Sequence, residues 1–556
     1  MIVPVVLGIL FSAVIAVLIL RSPDGEAIRR VGIAGSAGVF LALIVAVFRF
    51  NAAGGGSGWR MLSLEWIPSL GVGVRFNLDG LTLATVFCVA AVYLASFLSL
   101  KKESRSSRVV ALLLSEAGVV AALTSRDLVF FLLMWSLSWL PLVLAASIET
   151  FNSDDSEATG KGTARVSIQL GAATAFFLCA ALGLAAVYRA QAGEWTFDID
   201  RIVETGLLSG SGMWMLMFFI LSLGCGAAVF PFHSWLPYAA RSLPVPILVV
   251  LMVGVTKPPL FMLVRLSLGV FPDVLHYSSP MLVIVAVFGV IHSGLLSWTH
   301  RSDMRRLTAY LTSGFHSMAL FGFAGLDIRS ISGASFLMGS HALAVATLVL
   351  GLTAVQTGRA TERTPEFISR GWLVGVLLGV ATLAAVPFMS GFTAEFLLWT
   401  GCFDSYAQHV VYSKSLGGAP LILQNPKLWS LMAVIASLLL TAGAVQAFYR
   451  EFYLNYRRGF LSDDAGSSAD RRRLPSPIVV LLPAVLSLLM GLYPRLLLKP
   501  MEAEAGRLID DTVLNFQRRK AADKDTAYPH RAQGFTTDRE TLDGKTGISS
   551  MSRRAP

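Results

Sequence analysis

The sequence predicts an all-α polytopic membrane protein of about 14 transmembrane helices, and three observations carry that reading. The chain has 556 residues, of which 54% are hydrophobic and only 14% charged, and its mean hydropathy is +0.65. Its apolar residues fall in unbroken runs long enough to cross a bilayer, not in one-sided helical stripes. Its Lys and Arg residues cluster in alternate loops. A β-barrel would instead show short segments of alternating polarity.

A bilayer core takes about 20 apolar residues per helix. Runs of that length lie near 2–20, 30–49, 80–99, 108–124, 127–148, 166–190, 212–232, 243–271, 278–299, 305–326, 334–356, 371–402, 428–453 and 476–498. The first has no small-residue cleavage site, which predicts a retained helix. The longest loop, 51–79, holds a Gly-rich stretch and then "EWIPSLGVGVRFNLDGLTL". Residues 150–165 are polar and 457–475 basic. The tail after Pro500 is polar and of mixed charge, predicting one or two helical turns near 501–520 and disorder beyond. The expected organisation is three N-terminal spans (1–107), two five-span repeats (108–271 and 278–453), a last span (476–498) and a polar tail (499–556).

The formal net charge is +10. Loops joining odd to even spans hold Arg21, Arg29, Arg30, Lys101, Lys102, Arg105, Arg108, Arg301, Arg305, Arg306, Arg457, Arg458 and Arg471 to Arg473. They carry roughly 22 Lys and Arg against roughly 8 in the opposite loops, the positive-inside asymmetry. The basicity is thus topological and does not point to nucleic acid, and it predicts both termini outside. Cys88, Cys179, Cys225 and Cys402 lie in or beside separate spans without CxxC spacing, so small apolar core residues are the reading. No Walker loop, dinucleotide fingerprint or zinc pattern is present, and no cofactor or metal site is expected.

Two spans are interrupted alike. One ends "AAVFPFHSWLP", with Pro231 and Pro237 around His233; the other reads "LAAVPFMSGFTAEF", with Pro387 and Gly391 ahead of Glu395. Paired Pro/Gly breaks in two halves of a membrane chain point to inverted repeats with polar groups at the midplane. The titratable residues within predicted spans are Glu116, His233, Lys257, His292, His316, His341 and Glu395. Lys257 is the most conspicuous, centred in "LMVGVTKPPLFMLVR". An intramembrane charge is costly and usually lines a bundle interior or a water path, and groups that change protonation suit a proton relay. Each has a plainer alternative: a structural salt bridge for Lys257, helix capping for Glu395, turn packing for His233, and satisfied core histidines at His292 and His316. Arg265, near a span end, is expected to snorkel. Pro258 and Pro259 are expected to open the helix and free a carbonyl for the ammonium.

With "SRDLVFFLLMW", "EWTFDIDRIV", "FPFHSWLPYA", "SDMRRLTAYL", "SHALAVATL", "VATLAAVPFMSGFTAEF" and "LSLLMGLYPRLLL" added to these stretches, the chain resembles the antiporter-like subunits of respiratory complex I and of multisubunit cation/proton antiporters. The resemblance runs nearly end to end and is strongest to the chain M group of bacterial NADH:quinone oxidoreductases, as a divergent paralogue. It implies a proton-translocating, non-redox subunit of a hetero-oligomeric complex in the bacterial inner membrane, with other membrane subunits, protons and the lipid bilayer as partners. Carried over position by position, Lys257 matches the family's eighth-span lysine, His341 its eleventh-span histidine and Glu395 its terminal glutamate; His316 corresponds with a shift of one. Two positions depart: the family's fifth-span glutamate is Ser136 here, and its seventh-span lysine is Gly226. Losing both avoids stranding one buried charge at about 3–5 kcal/mol. Either the first half no longer moves protons, or Glu116 on the fourth span replaces the lost carboxylate. The alternatives are a membrane subunit of a dissolved-inorganic-carbon accumulation complex, a cation/proton antiporter, and a non-conducting scaffold.

Overall fold

The structure is a computed structural model. It describes the chain apart from residues 1, 21–24, 53–61, 103, 151–155, 206–211, 301–302, 361–369, 406–424, 454–475 and 528–556. Several basic residues of the charge pattern (Arg21, Arg301, Arg457, Arg458 and Arg471 to Arg473), the Gly-rich loop and the end of the tail lie outside the described residues.

The first half runs α1 (Ile2–Leu20), α2 (Gly25–Ala52), β1 (Ser63–Ile67), β2 (Val72–Arg75), α3 (Gly80–Ser99), α4 (Ser106–Thr124), α5 (Leu128–Thr150), α6 (Ser156–Ala192), the short α7 (Ile199–Thr205), α8 (Gly212–Gly226), α9 (Trp235–Ser242), α10 (Val245–Val250) and α11 (Lys257–Arg265). The second half runs α12 (Pro272–Thr299), α13 (Met304–Ala324), α14 (Ile328–Ala360), α15 (Arg370–Leu383), α16 (Ser390–Asp404), α17 (Pro426–Phe448), α18 (Ile478–Leu492) and α19 (Arg495–Ala527). Met1–Thr512 forms one compact unit; the residues from Val513 form a second, described as helix as far as Ala527.

Each predicted apolar run overlaps one helix or more, those at 212–232 and 371–402 running into or across a break. Among the described residues, nine helices are long and apolar enough to cross a membrane, or up to ten if Ile478–Leu492 and Arg495–Thr512, bent by 69°, form one span. The stretches Val245–Val270 and Ile328–Gly351 are buried along their whole apolar length, whereas Gly25–Ala52 and Gly160–Ala192 bury less than half of theirs. The helix carrying Lys257 is therefore central, and its cost in lipid does not arise.

Both predicted breaks are present. α8 stops at Gly226 and the chain turns through Ala228 at φ 53° before resuming at α9. α15 stops at Leu383 and turns through Ala385 (φ 48°) and Phe388 (φ 74°) before α16.

Four expectations are corrected. The 51–79 loop contains an antiparallel hairpin, with Leu64 opposite Val74 and Glu65 opposite Gly73. Its turn needs Gly71, which sits at φ 65° where a side chain is strained. In the tail, α19 runs unbroken from Arg495 to Ala527, well beyond one or two turns. Cys179 is exposed, not a core residue. Arg265 does not snorkel: it is buried and its Nη2 lies 2.6 Å from Asp79 Oδ2.

Asp79 is the knot of the hairpin end of the bundle. It caps α3 by accepting the Thr82 N–H at 2.9 Å, and it pairs with Arg126 at 3.3 Å as well as with Arg265. Burial by itself would raise its carboxyl, but Arg265 and Arg126 prevail and hold it at about 2. Beside it, Arg75 of β2 pairs with Asp127 at 2.9 Å and Asp198 at 3.1 Å, tying the hairpin to the loops before α5 and α7.

Candidate functional site

The Lys257 helix is irregular for a definable reason. α10 widens into a π-helical turn over Leu251–Val255, and α11 then starts at Lys257 with Pro258 and Pro259 in its first turn. A helix's first turn has no intrahelical use for N–H groups, so two prolines fit there without breaking a ladder. π turns frequently mark functional sites in helices. The expected carbonyl beside the ammonium is a correction: Trp135 Nε1 donates to Val255 O at 3.3 Å, and the amine has other partners.

Lys257 is fully buried. Its Nζ lies 2.7 Å from His316 Nε2, 2.8 Å from His341 Nδ1 and 3.7 Å from Met338 Sδ. Three N–H donors thus meet two imidazole nitrogens and one thioether, and among the described residues no carboxylate stands within ion-pair distance. His316 Nδ1 is 2.6 Å from Ala227 O, in the break after α8. A carbonyl only accepts, so Nδ1 carries the His316 proton and Nε2 faces the amine as an acceptor. An ammonium donates, so His341 accepts from Nζ at Nδ1 and carries its proton on Nε2, which is buried and, among the described residues, has no partner. A proton passed from the amine to Nδ1 releases the one on Nε2, so the ring can relay.

On α16, Glu395 is buried, and among the described residues its Oε1 has no partner. Ser340, next to His341, meets Ser390 at 2.8 Å. Glu395 is five residues along α16 from Ser390, about 8 Å along the axis at 1.5 Å per residue. His341 and Glu395 therefore share a helix interface without touching. Ser390 also bonds Ser487 of α18, which bonds Thr382 of α15, each at 2.7 Å. These hydroxyls were missed in the sequence, where only adjacency to His341 and to the "SGF" break marks them.

The other candidates stand apart from this group. Glu116 is fully buried on α4 and accepts from Ser36 of α2 at 3.0 Å, its Oε2 without a partner among the described residues. α4 and α5 are neighbours, but Ser115 is the residue that faces α5, donating to Ser138 O and touching Tyr93 Oη, both at 2.6 Å. Tyr93 in turn packs on Gly254 so closely that a Cβ there would lie 3.1 Å from its ring. His233 follows the α8 break and is buried, with no partner for Nδ1 among the described residues.

The two departing positions are filled with other matter. Ser136 turns its hydroxyl back to Leu132 O at 2.8 Å. The Trp135 indole covers Gly226, where a Cβ would overlap Trp135 Cζ2 and come within 3.0 Å of Pro259 Cγ. Gly226→Ala is expected to destabilise the chain by about 1–3 kcal/mol through overpacking. A chemical-denaturation midpoint equal to that of the wild type would show that the Trp135 lid gives way.

Residues 125–418, more than half of the chain, match the family described as NADH:quinone oxidoreductase/Mrp antiporter, transmembrane. The chain is 28% identical over 413 residues to the NAD(P)H-quinone oxidoreductase chain 4 2 of Trichodesmium erythraeum, covering 71% of each. It is 28% identical over 378 residues to the F(420)H(2) dehydrogenase subunit M of Methanosarcina mazei, covering 63% of this chain and 72% of that one. In fold it is similar to a chain of respiratory complex I from Thermus thermophilus, with TM-score 0.70, 20% identity, and coverage of 92% of this chain and 100% of that one. It is similar also to a chain of the Mrp complex from Dietzia sp. DQ12-45-1b, with TM-score 0.67, 17% identity, and coverage of 97% of this chain and 58% of that one.

Proposed function

The chain belongs to the NADH:quinone oxidoreductase/Mrp antiporter transmembrane family, and from that premise we propose that it is a proton-translocating, antiporter-like subunit of a multisubunit membrane complex. The observation that carries this reading is the fully buried Lys257 amine, held between His316 and His341 with no carboxylate counter-ion among the described residues. A structural salt bridge would supply an anion, and a structural core would supply apolar packing. An amine between two imidazoles is a site where a proton is exchanged.

The path runs from His316 through Lys257 and His341 to Glu395, with water bridging the last gap. His233 lies on the approach to His316. Glu116, with Ser36 and the Tyr93–Ser115 pair, is the carboxyl on the first-half side, feeding the π turn before Lys257 and standing in for the family glutamate lost at Ser136. In this reading the chain has 14 spans, with inverted five-helix repeats at 108–271 and 278–453, the three N-terminal spans before them and the last span and tail after. Both termini lie outside a bacterial inner membrane, and partner subunits supply the driving force.

The test uses the purified assembly in vesicles with a pH-sensitive dye. Glu395→Gln keeps shape and removes the exchangeable carboxyl, and proton flux is expected to fall by about 100-fold, the low end of what a positioned proton-transfer group contributes. Undiminished flux would remove Glu395 from the path.

A further inference from the structure

At the end of the bundle that carries Arg241, Arg305 and Arg306, four ring side chains stand one behind another, three of them unused by the path above. His300, part-buried at the end of α12, has its ring centroid 5.1 Å from that of Tyr310 on α13. Tyr310 is 6.4 Å from His233, and His233 is 4.8 Å from His292 on α12, edge to face. Phe230 backs the pair, 5.1 Å from His292 and 6.0 Å from His233.

The inner end of this row adjoins the Lys257 group. One turn from His292, α12 meets α13 at Gly289, where a Cβ would overlap Ser317 Oγ and lie 3.0 Å from Phe230 Cβ. Ser317 is the neighbour of His316, and His316 bonds the Ala227 carbonyl three residues before Phe230. Along α13, Tyr310 and His316 are six residues apart, about 9 Å of rise. The row therefore covers the depth between the Arg-rich rim and the buried amine.

Resting on the proton-transport reading, we infer that His300, Tyr310, His292 and His233 form a proton inlet from the Arg-rich face to His316 and Lys257. The orphaned nitrogens distinguish an inlet from a packing stack. Among the described residues the Nδ1 atoms of His233 and His292 are buried without partners, and a buried polar atom left unpaired is unfavourable relative to an apolar ring of the same shape. Phenylalanine would serve packing better, whereas a relay needs the nitrogens.

In one turnover a proton from water reaches the Tyr310 oxygen or a His300 nitrogen. It is passed on to one nitrogen of His233 or His292 as the proton on that ring's other nitrogen leaves toward His316. Each ring ends with the protons it began with, and one proton has moved inward. The charged and titratable groups facing the rim are Asp303, Arg306 and Tyr238, all within electrostatic reach of Tyr310, together with Arg241, 3.9 Å from Asp303.

The test places the purified assembly in vesicles with the Arg-rich face outward and follows proton uptake across pH. His292→Phe and Tyr310→Phe keep the rings and remove the relay atoms. Each is expected to slow uptake several-fold, and the double variant about tenfold or more. The deficit should widen as pH rises and protons become scarce, and added imidazole should restore part of the rate. His292→Gln, run alongside, keeps polarity if the Phe variant fails to assemble, and is expected to show the same pH-dependent deficit. Wild-type uptake by the double variant at every pH, with Lys257→Ala inactive, would overturn the inlet and leave the path through Lys257 standing. Wild-type uptake by Lys257→Ala would overturn both.

Discussion

Replacing Lys257 by methionine is expected to abolish proton transport while the chain still inserts and assembles. Among the described residues the Nζ atom is the hydrogen-bonded link between His316 Nε2 and His341 Nδ1; those two rings are otherwise 5.3 Å apart at their centroids. Methionine fills the volume of the lysine stem, which keeps the cavity penalty of an alanine small. It leaves two imidazole nitrogens as buried acceptors without donors, at about 1–3 kcal/mol each. Against that, it removes an amine whose charged form is costly in this setting. The two effects oppose each other, so fold stability changes little while transport is lost. Lys257→Arg is the informative companion. A guanidinium keeps the charge but does not give up its proton and does not fit the two-imidazole geometry. Both variants are expected to be inactive in dye-reported flux, at wild-type abundance in the membrane. Transport retained by Lys257→Met would end the proton-exchange assignment of this group.

Asp79→Ala is expected to produce the largest loss of stability, about 3–5 kcal/mol, because it leaves two buried guanidiniums, Arg126 and Arg265, facing each other. It also removes the α3 cap made to Thr82, worth about 1 kcal/mol. Glu504 of α19, within electrostatic reach of both arginines and paired with Arg507, recovers part of the loss. Asp79→Asn, which keeps a capping oxygen, should cost less than Asp79→Ala. The pH dependence has a definite sign. The Asp79 carboxyl lies below its ordinary 3.8, at about 2. Its stabilisation is therefore fully present above the ordinary value and is lost as pH falls through that range toward about 2. Chemical denaturation in detergent at neutral and acid pH reads both effects. An unchanged midpoint for Asp79→Ala would mean that Glu504 compensates fully. The consequence reaches the site, since Arg265 stands eight residues, about 12 Å of helix, from Lys257.

The spans and both breaks were legible because each depends on local composition: a run of apolar residues in one place, a Pro or Gly in another. The hairpin at 63–75 was hidden in a loop because strand pairing is a contact between residues whose alternation is too short to stand out. α19 was underread because its polar composition resembles that of a tail, while Thr512 near its middle bonds Leu268 O, a contact no local pattern announces. Arg265 read as a snorkelling side chain because its partner, Asp79, is far away in sequence. The His300 and Tyr310 rings drew no notice, since single rings at a helix end have meaning only through what they stack on.

By itself the sequence determined that this is a many-span membrane chain with two interrupted helices and a short set of intramembrane titratable residues, Lys257 foremost. Hydropathy and backbone-breaking residues act within a few positions of themselves, so they survive being read in one dimension. The tertiary structure alone decided which of those residues share a site. It joined Lys257 to His316 and His341 rather than to a carboxylate, turned Glu116 toward Ser36, and closed Gly226 under Trp135. Hydrogen bonds and ion pairs act over about 3 Å between atoms, and only folding brings residues 257, 316 and 341 within that reach.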